Sequence, residues 1–150
     1  MAELAKVQRA GSLEEAAFLD LLRTADVLTQ GAIGVLKGED LSPTQYNVLR
    51  ILRGAPKGLS CGEIAKRMTT HDPDVTRLLD RMEKRGLISR ARENRDRRMV
   101  TTRITPQGRK VVDRLDEPVR KIHSKQLGHL GKERLRVLGE LLAAARAAVE

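Results

Sequence analysis

The side chains best suited to chemistry in this sequence are guanidinium groups gathered at two places. In the run 72–85, if Val75, Leu78, Leu79 and Met82 face a core, helical spacing turns Asp74, Thr76, Arg77 and Arg81 outward. A short way on, Arg95, Asp96, Arg97 and Arg98 cluster at the tip of an alternating segment. An arginine can fork onto the two acceptors of a guanine edge, a threonine can bond a base or phosphate, and an aspartate can accept from a cytosine amine. Asp96, two residues before Arg98, is in reach to hold that guanidinium in a bidentate pose. A helix of this kind fits the major groove of duplex DNA, and an arginine tip fits the negative potential of a narrow, A·T-rich minor groove.

Groupings that would do covalent chemistry are missing. The sequence has no glycine-rich phosphate loop, nucleophile elbow or paired-carboxylate site, so no enzyme is expected. His71, His123 and His129 are too scattered for a metal-ligand spacing, so neither metal nor cofactor is expected. Cys61 would sit in the first turn of a helix, where the dipole favours thiolate, but a lone cysteine reads first as a structural thiol.

Charge points the same way as the arginines. The chain of 150 residues carries a net charge of +9, and the stretch 77–103 holds ten basic residues against four acidic ones. Lys and Arg displace the counterions condensed on nucleic acid, so a polyanionic partner is implied. One Phe, one Tyr and no Trp leave no stacking platform for single strands, so duplex DNA is the expected partner. With 40% hydrophobic and 33% charged residues, no membrane-length apolar run and no signal peptide, a cytoplasmic protein is expected.

The elements that must carry these groups are marked by caps. Ser12 with Glu15, Ser42 with Gln45, and Ser60 with Glu63 have capping-box spacing. Asp72-Pro73 and Thr105-Pro106 pair a cap with proline at the first helical position. Helices are therefore predicted over 13–37, ended by Gly38, over 43–53, over 60–68 and over 72–85, the last two separated only by Thr69, Thr70 and His71. After Gly86 the period becomes alternating, predicting strands 87–93 and 99–105 around the tip Asn94 to Arg98. A further helix opens at Pro106 with the stripe Val111, Leu115, Val119 and Ile122, and Pro118 is expected to kink or break it near Glu117. A last helix after Gly131 presents Leu135, Leu138, Leu142 and Val149.

The segment Val75 to Ile88 resembles the recognition helix of the MarR (multiple antibiotic resistance regulator) transcription factors running into their wing, and Asp96-Arg97-Arg98 with Ile104-Thr105-Pro106-Gln107-Gly108 resembles the wing signature. The pattern covers roughly residues 41–108. The resemblance implies an obligate homodimer with interlocked first and last helices. It also implies that Asp96 orients Arg98 in the minor groove while residues 72–77 meet the major groove. Many members of that family release DNA when a small, often aromatic anion enters a crevice between dimer and winged lobes, and Tyr46 is the one ring expected near its wall.

The expected fold is thus mainly α with a small β-hairpin wing, one winged helix-turn-helix protein. Helices 12–37 and 106–150 would dimerise, and the lobe 42–105 would bind DNA through a helix pair over 60–85 and a wing over 87–105. Dimerisation has support apart from the resemblance, because the terminal helices carry more apolar stripe than one small lobe can cover. A two-fold dimer would set its recognition helices about 34 Å apart and read an inverted-repeat operator, usually as a repressor. The alternative is an architectural or non-specific nucleic-acid-binding protein whose basic stripe serves electrostatics alone.

Overall fold

Four helices begin where a small hydroxyl precedes an apolar run, and in each the hydroxyl accepts a bond from a backbone amide that would otherwise be unpaired. The computed structural model describes residues 11–93 and 96–150, with the backbone alone at 96 and 97. Helix α1 (Leu13–Leu36) is capped by Ser12, whose Oγ accepts from the Glu15 amide at 3.1 Å. Helices α2 (Pro43–Arg53) and α3 (Cys61–Arg67) open with full capping boxes at Ser42/Gln45 and Ser60/Glu63. Helix α4 (Val75–Lys84) leads into a two-stranded antiparallel sheet of β1 (Ile88–Glu93) and β2 (Asp96–Ile104). Helix α5 (Pro106–Leu127) is capped by Thr105, and α6 (Gly131–Ala147) closes the chain. Among the described residues the architecture is mainly helical with one hairpin, as the sequence predicts.

Several boundaries differ from prediction. Gly38 does not end the first helix: a 3-10 turn, Lys37–Glu39, follows, and Asp40 takes the left-handed conformation at φ 53°. Asp72 is not the cap of α4. Its Oδ1 instead accepts from the Asp74 amide at 2.8 Å, and Asp74 caps the helix by accepting from the Arg77 amide at 3.0 Å. Proline at 73 disfavours helical backbone at Asp72, so the helix starts beyond it and the turn after α3 is longer than three residues. Helix α5 runs unbroken through Pro118, with Leu115 and Val119 buried on either side of it. Val149 lies beyond α6 and is exposed.

The hairpin departs most. Its rungs run in register from Ile88↔Ile104 to Arg92↔Val100, but Glu93 then pairs with Asp96 in place of Met99. The backbone of residues 96–98, expected in the tip, is therefore strand, and 97–99 bulge out of phase. The inner end is anchored to the helices by reciprocal backbone bonds, Leu59 N to Thr102 O at 3.0 Å and Thr102 N to Leu59 O at 2.8 Å.

One core joins these parts. Val48, Leu49 and Leu52 of α2, Ile64 of α3, Leu78, Leu79 and Met82 of α4, and Val111, Val112, Leu115 and Val119 of α5 are all buried. Each such side chain contributes about 1.5–3 kcal/mol on leaving water. Helix α1 adds only Leu36, and α6 has no buried residue. On α1, Phe18 is 59% exposed and Leu22 54%, and on α6 Leu141 is 64% exposed. Among the described residues no helix is long and apolar enough to cross a membrane.

Candidate nucleic-acid interface

Helix α4 has the amphipathic character its spacing predicts. With Leu78, Leu79 and Met82 buried, Thr76, Arg77 and Arg81 are exposed on the opposite side. Asp74 is exposed as well, but its carboxylate is engaged by the Arg77 amide. The Asp74 and Asp72 side chains thus accept from backbone amides at the helix entrance, which offsets the negative charge they bring there. The turn preceding α4 is held against α2, where Asn47 Oδ1 accepts from the Thr69 amide at 2.8 Å.

The wing stands beside this helix because one arginine ties them together. Arg90 of β1 donates from Nη2 to Glu83 Oε1 at 3.0 Å and to Asp80 Oδ1, and its backbone amide donates to Glu83 Oε2 at 2.9 Å. The Arg90 hydrogen bond holds the Glu83 carboxyl below its usual pKa, and the same bond pushes the guanidinium up. In the sequence Arg90, Asp80 and Glu83 register only as charge. Asp80 and Glu83 three apart on a helix, facing an alternating strand residue, was the available signal.

Of the wing residues singled out, Arg98 is exposed in β2. It borders a hollow of about 370 Å³ that Cys61, Thr76, Leu79, Arg90 and Met99 also line. The structure therefore brings Thr76 and Arg98 to one concavity between the helix pair and the hairpin. Arg95, and the side chains of Asp96 and Arg97, lie outside the described residues, as does the expected hold of Asp96 on Arg98. Arg81 borders a second hollow, of about 550 Å³, with Asp40, Leu41, Ser42, Gln45, Lys84 and Arg85.

Of the other candidates, Cys61 shares this hollow and Tyr46 lies on α2. Cys61 is partly buried, its Sγ 3.8 Å from Thr76 Oγ1. Among the described residues no three His, Cys, Asp or Glu side chains gather as metal ligands. Tyr46 is half-buried, and the Arg50 guanidinium lies 5.9 Å from its ring centroid. Burial pushes its phenol above the ordinary pKa.

Comparison with known proteins matches this geometry. The family model described as "MarR family" matches residues 41–100, which span α2 to the wing. The crystal structure of a MarR transcription factor from Planctomyces limnophilus is 40% identical, with 89% of this chain and 97% of that one covered and a TM-score of 0.69. The transcriptional repressor CouR, solved bound to a 23-mer DNA duplex, is 28% identical over 89% of this chain and 92% of its own, with a TM-score of 0.74. The HTH-type transcriptional regulator FarR of Neisseria gonorrhoeae is 27% identical over 126 residues, 83% of this chain and 85% of that protein.

Proposed function

The chain belongs to the MarR family of transcription regulators, and we propose that it acts as a homodimer that represses by occupying an inverted-repeat operator in double-stranded DNA. One observation carries the reading: the exposed face of α4, with Thr76, Arg77 and Arg81, stands next to a basic hairpin locked to that helix through Arg90, Asp80 and Glu83. A helix for the major groove and a neighbouring wing for the minor groove are thereby offered at one fixed separation. Arg77 and Thr76 contact base edges or phosphates, Arg81 contacts phosphate, and the wing from Arg95 to Arg98 enters the minor groove. Asp74 preorganises the helix start by capping it.

The dimer is favoured by what the protomer leaves uncovered. Phe18, Leu22 and Val27 on α1 and Val137 and Leu141 on α6 are large apolar side chains in water, and a second copy would remove them from it. A small aromatic or anionic effector releases the DNA from a crevice between the dimer helices and the winged lobe. The hollow between α2 and α4, near Arg81, Lys84 and Arg85 with Leu41 in its wall, lies within the winged lobe and offers cations to such an anion. Such a protein works beside the chromosome, in the cytoplasm.

The test is binding of a sequence selected from genomic fragments against a random duplex of equal length at equal salt. Tighter binding of the selected inverted repeat by a hundredfold or more supports the reading, as specific sites generally exceed non-specific ones by at least about 10³. Equal binding favours an architectural, purely electrostatic protein. Thermal shift with phenolic acids tests the effector, and a panel that stabilises nothing counts against it.

A further inference from the structure

Helix α4 is held at its C-terminal end by a chain of bonds that reaches α5. Arg85, the residue capping its C-terminus, donates from Nη1 to the Asp40 carbonyl at 2.6 Å and from Nη2 to the Glu39 carbonyl at 3.2 Å. Gln45 Oε1 lies 3.5 Å from the same Nη1. Glu39 in turn accepts from Arg114 of α5, at 2.9 Å to Nε and 3.0 Å to Nη2. Asp40 is the one non-glycine residue with positive φ among those described. The Glu39-Asp40 backbone is the junction where α1 hands over to α2.

We propose that Arg85 is a positioning residue for operator recognition, fixing the tilt of α4 against the α1–α5 pair and so the separation of the two reading helices in the dimer. The inference rests on the operator reading above and assigns a role within it. A planar guanidinium can hold two successive carbonyls at once, which fixes direction as well as distance, whereas a lysine ammonium holds one point. Exposed ion pairs add little stability singly. What matters here is geometry: Leu78, Leu79 and Met82 keep α4 packed while the Arg85 contacts set its angle, and two-fold symmetry doubles any change in that angle. The Glu39–Arg114 pair carries the same restraint to α5, one of the helices expected at the dimer interface.

The experiment compares full-length wild type, Arg85→Met, Arg85→Lys and Glu39→Gln on the selected inverted repeat. It includes repeats lengthened or shortened by one base pair at the centre and a random duplex, all at one salt concentration. Thermal unfolding checks that each variant is folded. The wild type is expected to prefer its own spacing by about tenfold or more, with Arg85→Met narrowing that preference to about threefold or less and leaving random-duplex binding within about twofold. Arg85→Lys falls between, and Glu39→Gln, which leaves the Arg85 charge in place, shifts spacing preference in the same direction. A uniform loss on every duplex with spacing preference intact means that Arg85 acts as a simple phosphate contact, and the inference is wrong. If the wild type discriminates spacings and the variants do so equally, the operator reading stands and this role falls. If the wild type prefers no inverted repeat, both fall.

Discussion

The Arg90 side chain and backbone grip opposite oxygens of one carboxylate, with Nη2 3.0 Å from Glu83 Oε1 and the amide nitrogen 2.9 Å from Glu83 Oε2. The wing and the reading helix are therefore one rigid piece at this point. Replacing Arg90 with Met leaves Asp80 and Glu83 as neighbouring anions without their shared guanidinium, while the residue-90 amide still donates to Glu83. Both carboxylates are more than a third exposed, so the expected loss in urea unfolding is about 1 kcal/mol, below that of a buried charged pair. Operator affinity should fall further than stability, because the wing loses its alignment to α4.

The same clamp sets an acid limit. Glu83 has its pKa lowered from the ordinary 4.5, first by the Arg90 hydrogen bond, and Glu39 and Asp116 are lowered in the same way by Arg114 and Arg53. A depressed folded pKa means that the unfolded chain takes up protons first as pH falls. These bonds thus contribute in full above about pH 5 and are lost as pH drops below 4.5 through the folded values. Stability by chemical denaturation should be nearly flat from pH 7 to 5 and decline below 4.5, with a shallower decline in Glu83→Gln.

Two glycines make opposite predictions. A Cβ at Gly108 would lie 2.1 Å from the Leu87 carbonyl oxygen, where backbone must move, so Gly108→Ala should destabilise by about 2–3 kcal/mol or more. A Cβ at Gly31 would lie 2.2 Å from Gln126 Nε2, the end of a side chain that can swing away. It would give up its bond to the Leu28 carbonyl while α1 gains alanine's helix propensity, so the net change in thermal unfolding should stay within about 1 kcal/mol.

On DNA, Arg77→Ala is expected to cost about 1–3 kcal/mol on the selected operator and much less on random duplex, as loss of a base contact does. Arg98→Ala should weaken operator binding with little effect on unfolding. Fluorescence anisotropy with labelled duplexes measures both, and an unchanged affinity for Arg98→Ala would remove the wing from the mechanism.

Self-association should break at α1. Leu22 is largely exposed in the protomer, so Leu22→Asp leaves the core alone but puts a charge into the proposed interface. Sedimentation should give a dimer for wild type and a monomer for the variant at micromolar concentration.

What could be read from the chain was local. Ser42 with Gln45 and Ser60 with Glu63 lie three residues apart, and both arms of each capping box form. The inward and outward sides of α4 followed from spacing alone. Where two candidates compete within a few residues, spacing alone does not choose: Asp72 and Asp74 can each cap, and the proline between them decides. Gly38 looked like the terminator of α1, yet Asp40 takes the left-handed turn, with its carbonyl held by Arg85 forty-five residues away. Contacts at such separation, including Arg53 with Asp113 and Asp116, leave no periodic trace in sequence.

Because the ladder from Ile88↔Ile104 to Arg92↔Val100 is pinned at its base by Leu59 and Thr102, phase is set before the chain reaches the outer end. Residues added or removed between Arg92 and Val100 change how far the hairpin extends without flipping any side chain nearer the helices. Reach into a groove can thus be retuned separately from the scaffold that aims it.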